Sequence, residues 1–309
     1  MNHFLNLKDI PISKLRKIIS DAKIRKSKRK KNNTLDTDID KPLKGKFLIQ
    51  MFEKSSLRTR ISFYLAIKQL GGSALTLRPD ELHLSRGGES LSDTAKIIST
   101  YGNVFMLRTD DDKKIQEFKK FLKVPLINAL SPSGHPLQII SDIFTIEEIK
   151  KKNISRLNIC WIGDSNNVLN SLIEASVKFS FKLNIGCPKH YQPQSSILNW
   201  AKKYKAKIRV FNNAKMAAID ADVVFTDKVI SMNDKVNKSK KLNAFKDFKV
   251  TKRVMSYASK KAIFLHCLPR GAEVSDDVFL SKQSKVWQQA LNRIYVQKSV
   301  LLFCLDKLR

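Results

Sequence analysis

Short apolar runs alternate with longer amphipathic stretches along almost the whole chain, and this rhythm constrains the fold more than any single motif does. β-like runs at 46–52, 74–78, 103–108 and 124–130 are separated by helical patterns that end near 70, 101 and 122. A second series places strands at 157–162, 182–186, 207–211, 223–226 and 262–268, with helices at 168–179, 196–204 and 215–219 between them. Strands spaced this way cannot be joined by tight hairpins, so the pattern predicts βαβ units and parallel sheets. A long amphipathic stretch at 136–152 bridges the two series, and a helix at 285–305 closes the chain. The expected architecture is therefore α/β: two doubly wound parallel-sheet lobes joined by long helices, with the boundary near 135–150.

Composition supports a packed chain. Of 309 residues 42% are hydrophobic, enough for a core and too many for a disordered polymer. The length favours two domains. Apolar runs such as 300–305 fall far short of a membrane-spanning helix, and the first residues lack the apolar stretch of a secretory signal, so a soluble intracellular protein is expected. Four cysteines stand far apart with no CxxC pair, and five histidines are scattered, so neither a disulfide framework nor a metal is expected.

The charge invites a different class of function. Lysine and arginine number 58 against 28 acidic residues, a net +30, with the densest run at 23–31 and a lysine-rich stretch at 228–253. Neither run is accompanied by aromatic-interleaved strands or a zinc finger, so most of this charge is assigned to solvated surface, where it would draw small anions.

In open parallel sheets ligands bind beyond the carboxyl ends of the strands. Polar clusters follow several predicted strands at such places: 55–60, 108–109, 135–138, 163–167, 227–232 and 266–270. Ser56-Leu57-Arg58-Thr59-Arg60 directly follows a strand and opens a helix. First-turn N–H groups, hydroxyls and a guanidinium fork then face one point, which suits a phosphate. An ordinary capped helix with surface arginines would share some of these features. Singly, Arg108 would read as a strand-end charge, His135 as a core histidine and Asp227 as a turn residue.

Together these segments resemble the aspartate/ornithine carbamoyltransferase family. Residues 52–60 are similar to its phosphate-binding motif and His135-Pro136-Leu137-Gln138 to its His-Pro-x-Gln element. His266-Cys267-Leu268-Pro269 matches a His-Cys-Leu-Pro element typical of the members that use ornithine rather than aspartate. The order and spacing agree from about Phe4 to the last helix.

The resemblance implies transfer of a carbamoyl group from carbamoyl phosphate to the δ-amine of L-ornithine, in arginine biosynthesis, with no metal and no cofactor. It implies a cytoplasmic homotrimer with active sites at subunit interfaces, no specific nucleic-acid partner and no membrane. Residues 1–135 would bind carbamoyl phosphate, 150–284 would bind ornithine, and the C-terminal helix at 285–309 would return to the first lobe. Ser56, Leu57, Arg58 and Thr59 would hold the phosphate, with Arg108 facing both phosphate and carbonyl. His135, Pro136, Leu137 and Gln138 would meet the carbamoyl end, and Arg293 would reach back from the last helix. Cys267 and Leu268 would touch the donor beside the reacting amine, and His83 would stand where relatives usually carry a glutamine from a neighbouring subunit. Arg58, Arg108, His135, Gln138, Cys267 and Arg293 are thereby the implied catalytic set. Asn167, Asp227, Ser231 and Met232 would bind ornithine.

Besides His83, four departures stand out. Asn233 replaces a glycine, Val229 a frequent tryptophan, 110–112 is acidic where a histidine is common, and the loop near Gly87-Gly88 holds an extra glycine. Asn233 keeps open a sister transcarbamoylase using another amine such as aspartate or putrescine. The +30 charge keeps open a decayed scaffold that binds polyanions.

Overall fold

The computed structural model describes residues 1–29, 32–78, 88–230 and 237–308. Two compact units divide the chain: Met1–Phe144 with Leu291–Arg309, and Thr145–Ala290.

The first unit begins with helix α1 (Ile12–Lys28) and then alternates β1 (Phe47–Phe52), α2 (Leu57–Gln69), β2 (Ser73–Leu77), α3 (Leu91–Tyr101), β3 (Val104–Arg108), α4 (Asp112–Phe121) and β4 (Leu126–Leu130). All pairings are parallel, in the order β2-β1-β3-β4. Strand β3 is buried from Val104 to Leu107, as an apolar run covered on both faces should be. The helices start where side chains can serve orphan amides: Ser56 accepts from the Thr59 N–H, Ser90 from Asp93 and Asp111 from Lys113. Helix α5 (Pro136–Lys150) follows, and the unit boundary falls within it.

The second unit contains β5 (Asn158–Ile162), α6 (Asn167–Phe179), β6 (Lys182–Gly186), α7 (Ser195–Lys203), β7 (Ile208–Phe211), α8 (Ala214–Ala218), β8 (Val223–Thr226), α9 (Lys238–Ala244), α10 (Lys252–Met255), β9 (Ile263–His266) and α11 (Asp276–Phe279). Its parallel sheet runs β7-β6-β5-β8-β9. Helix α12 (Val286–Cys304) starts here and belongs to the first unit from Leu291 onward.

Both strand orders contain one reversal, between β1 and β3 in the first sheet and between β5 and β8 in the second. Crevices for ligands form at such switch points. Gly163, after β5, has φ +139°, and a Cβ there would stand 3.1 Å from Thr226 Oγ1. The glycine thus lets the β5–α6 turn pass close over β8.

The parallel α/β organisation expected from the rhythm of the sequence is present, but some elements differ from the expectation. The strand expected at 262–268 stops at His266, so Cys267 and Leu268 lie in the loop beyond it. Leu268 has φ +61°, which no strand accommodates. The last helix ends at Cys304, short of the chain end. Helix α1 was hidden because its second half is a run of cations with no capping side chain at Pro11. Its buried stripe of Leu15, Ile18, Ile19 and Ala22 nevertheless continues, at helical spacing, into the buried Arg29. Part of the densest basic run therefore faces inward. Among the described residues, no helix is long and apolar enough to cross a membrane.

Candidate active site

At the first switch point, the end of β1 and the start of α2 set Ser56 at the N-cap, with its Oγ 3.4 Å from the Thr59 N–H. Leu57 begins the helix and points to solvent, Arg58 is half-buried and Thr59 is buried. The first-turn amides of α2 and the hydroxyls of Ser56 and Thr59 thus share one helix end, an arrangement that favours an anion.

Across the reversal, β3 ends at Arg108. Glu53, at the end of β1, ties the two strand ends together. Its N–H donates to the Arg108 carbonyl at 2.9 Å, and its carboxylate accepts from the Thr109 hydroxyl and from Lys114 Nζ at 2.6 Å. The acidic stretch that departs from the family pattern is in use. Asp110 pairs with Lys54 at 3.3 Å, Asp111 caps α4 and Asp112 accepts from the Ser133 hydroxyl.

His135 and Gln138 sit at the start of α5 and Arg293 on α12, all buried, with Pro136 and Leu137 buried between the first two. The Arg293 guanidinium donates to Thr59 Oγ1 at 2.7 Å and to Gln138 Oε1 at 3.2 Å, so it joins α2 to α5. Gln138 Nε2 in turn donates to Asp142 at 2.8 Å. Burial, followed by the charges of Arg293, Arg108 and Arg58, holds the His135 imidazole well below the ordinary histidine range. The ring is therefore neutral near pH 7, able to donate one N–H and accept at the other nitrogen. Six sequence-selected residues, Ser56, Arg58, Thr59, His135, Gln138 and Arg293, and Arg108 as a seventh, fall within one neighbourhood of this unit.

In the second unit, Asn166 caps α6 by accepting from the Val168 and Leu169 N–H groups, and its Nδ2 donates to Asp227 Oδ2 at 2.7 Å. The other Asp227 oxygen accepts from the Cys267 thiol at 2.9 Å. Asn167, the sequence-selected residue, is half-buried in the first turn of α6 beside this pair. His266 holds the following loop. Its Nδ1 accepts from the Leu268 N–H at 2.8 Å, so the proton sits on Nε2 and donates to Glu273 at 2.9 Å. Burial raises the Glu273 carboxyl, but the bonds from His266 and the Gly271 N–H outweigh it and leave the group below its usual range.

Asp227, His266 and Cys267 offer ligand atoms within 4.8 Å of one another, the one such group among the described residues. Each is engaged in the hydrogen bonds just given. Burial pushes the Cys187 thiol up to about 12 and those of Cys160 and Cys304 higher, which marks all three as inert packing groups.

His83, Ser231 and Met232 lie outside the described residues, as do Asn233 and Gly87. Val229, one of the departures named from the sequence, is packed in the core of the second unit. Sequence reasoning missed Glu53, Asn166 and Glu273. Glu53 and Asn166 stand inside quoted motifs, and an N-cap signal before α6 points to Asn166. Glu273 lies seven residues past His266, and its contact comes from a loop returning on itself.

Two wound sheets, each with a polar cluster at its reversal, one cationic and one built around a carboxylate, define an α/β enzyme with two substrate-binding units. The chain belongs to the aspartate/ornithine carbamoyltransferase family. Residues 2–148 match its carbamoyl-P binding domain and residues 155–304 its Asp/Orn binding domain. An ornithine carbamoyltransferase of Rhizobium meliloti is 41% identical over 305 residues, covering 98% of each chain. Among solved structures, the ornithine carbamoyltransferase of Pyrococcus furiosus superposes with TM-score 0.91 at 35% identity, over 99% of this chain and 97% of its own. The anabolic enzyme of Campylobacter jejuni gives 0.88 at 38% identity over the whole of both chains.

Proposed function

We propose that this chain transfers the carbamoyl group of carbamoyl phosphate to the δ-amine of L-ornithine, giving L-citrulline and phosphate. Relatives named for this reaction match along nearly the full length. The observation that carries the reading is the convergence of Arg58, Arg108 and Arg293 on a buried, neutral His135 at the first switch point.

In this reading the first unit takes the dianionic donor. The α2 amides, with Ser56, Leu57, Arg58 and Thr59, hold the phosphate. Arg108 and the His135 N–H face the carbonyl oxygen, where negative charge develops, and Gln138 and Arg293 fix the carbamoyl end. A neutral His135 suits this role, since it donates without adding a fourth cation. The second unit takes the acceptor through Asn167 and Asp227, and Cys267 with Leu268 orients the amine. His83, Ser231 and Met232 enter by resemblance alone.

The lone pair of the uncharged amine forms the new C–N bond, the C–O bond to phosphate breaks, and the nitrogen gives up a proton. Turnover should therefore rise with pH until free ornithine is deprotonated. Exposed apolar side chains on α2, β2 and α3 (Leu57, Ile61, Tyr64, Leu75, Ile97 and Tyr101) support assembly into a homotrimer. Arginine biosynthesis in the cytoplasm is the expected setting.

A colorimetric citrulline assay on purified protein tests the reading. Arg58→Gln should lower turnover about 100- to 1000-fold while the circular dichroism spectrum stays unchanged. Near-normal citrulline formation by that variant would remove the phosphate assignment.

A further inference from the structure

The densest basic run contains an inward-facing lysine that the reaction chemistry does not use. Lys26, on α1, donates to Asn292 Oδ1 at 2.7 Å. Its ammonium lies 5.8 Å from the Phe144 ring centre and 5.9 Å from that of Tyr295. Asn292 is fully buried and directly precedes Arg293, whose guanidinium reaches Thr59 and Gln138. Lys23 and Lys28 on the same helix are exposed, so this contact belongs to one face only.

We propose that Lys26 is a positioning residue for Arg293: its ammonium, 5.8 and 5.9 Å from the centres of two aromatic rings, pins Asn292 and so fixes the turn of α12 that aims the neighbouring guanidinium. The cation–aromatic contacts orient the ammonium along the helix surface. The hydrogen bond converts that orientation into a fixed place for the Asn292 side chain. A one-residue step then carries the constraint to Arg293. The proposal rests on reading Arg293 as a ligand of carbamoyl phosphate, so its test separates the two.

Lys26→Met retains the aliphatic stem and removes the ammonium. It should raise the Michaelis constant for carbamoyl phosphate about tenfold and leave that for ornithine within about twofold. Lys26→Arg, which restores charge and donor, should return to within about threefold of wild type, and Lys23→Met on the exposed face should match wild type. In an Arg293→Gln background, Lys26→Met should add less than about twofold, because its effect passes through the missing guanidinium. Two results overturn the proposal: the same loss in both backgrounds, or a lowered melting temperature with wild-type Michaelis constants. If the wild-type chain forms no citrulline, the functional reading fails by itself. Titration with carbamoyl phosphate in a calorimeter then decides the positioning role, with about tenfold weaker binding by Lys26→Met supporting it and unchanged binding refuting it.

Discussion

Asp38 is the keystone of a buried ionic cluster in the first unit, and replacing it should be far more damaging than replacing its most deeply buried partner. Its carboxylate meets Arg25 at 2.9 Å, Arg29 at 3.0 Å and Lys298 Nζ at 2.7 Å. Arg25 also pairs with Asp21 at 3.0 Å, and Arg29 donates to the Asp36 and Asn33 carbonyls. Asp38 thus sees three cations, whereas Lys298 sees one carboxylate and two competing guanidinium groups. Burial raises the Asp38 carboxyl, but Lys298, Arg29 and Arg25 outweigh it and leave the group below its usual range. For Lys298, burial with the Arg29 and Arg25 charges prevails over Asp38 and pulls the ammonium down to about 8. Asp38→Asn leaves buried cations without their carboxylate and should cost about 3–5 kcal/mol, while Lys298→Met should lie within about 1 kcal/mol of wild type near pH 7. The unfolded chain binds the lysine proton up to its ordinary value of 10.5, so between about 8 and 10.5 the unfolded state holds more protons than the native one. Wild type should then gain stability with rising pH relative to Lys298→Met, by about 2 kcal/mol between about pH 7 and about pH 9.5. Urea unfolding should be followed by far-ultraviolet circular dichroism, because the three tryptophans, Trp161, Trp200 and Trp287, all lie in the second unit. Equal losses in the two variants, or a wild-type advantage that stays flat across that pH range, would refute this account.

The His135 ring, held well below the ordinary histidine range by burial and three guanidinium groups, should keep the NMR signature of a neutral imidazole through that range. Because its folded value is depressed, the stability it contributes is complete above the ordinary histidine value and declines as pH falls below it; a ring that titrates near 6.5 contradicts this. Asp227→Asn should raise the Michaelis constant for ornithine about tenfold or more and leave that for carbamoyl phosphate within about twofold, which steady-state citrulline kinetics will decide. His266→Phe strands the Leu268 N–H and the buried Glu273 carboxylate and should cost about 3 kcal/mol in urea unfolding. A His266→Phe/Glu273→Leu double variant should recover at least half of that loss.

The parallel sheets were legible because strand and helix periods differ and the apolar runs of β3, β8 and β9 are buried along their lengths. The cationic cluster was legible because its residues follow strand ends, where the fold gathers side chains from distant segments. Short helices such as α10 and α11 were not legible, since four residues hold too little periodicity to register. Nor was the loop from Cys267 onward, because an apolar Cys-Leu pair after a strand looks like more strand. What ends β9 is the turn at Leu268, held by a ring nitrogen of His266. That contact depends on a tautomer, and the tautomer depends on Glu273.

The basic run at 23–31 shows why a tally of charge misleads about position. With only Ile24 and Ser27 among its cations the run resembles a solvated face, yet Arg25, Lys26 and Arg29 continue the stripe begun by Leu15, Ile18 and Ala22. A buried cation is tolerated only where an acceptor is fixed nearby, and each of the three has one: Asp38 for the two arginines and Asn292 for the lysine. Asp38 comes from the irregular segment that follows α1 and Asn292 from the distant α12, so no helical period announces either acceptor. Helix α12 supplies Asn292 to Lys26 and Lys298 to Asp38, and the same helix carries Arg293, whose guanidinium meets Thr59 and Gln138. Charge that a tally assigns to solvent therefore anchors the helix that carries Arg293.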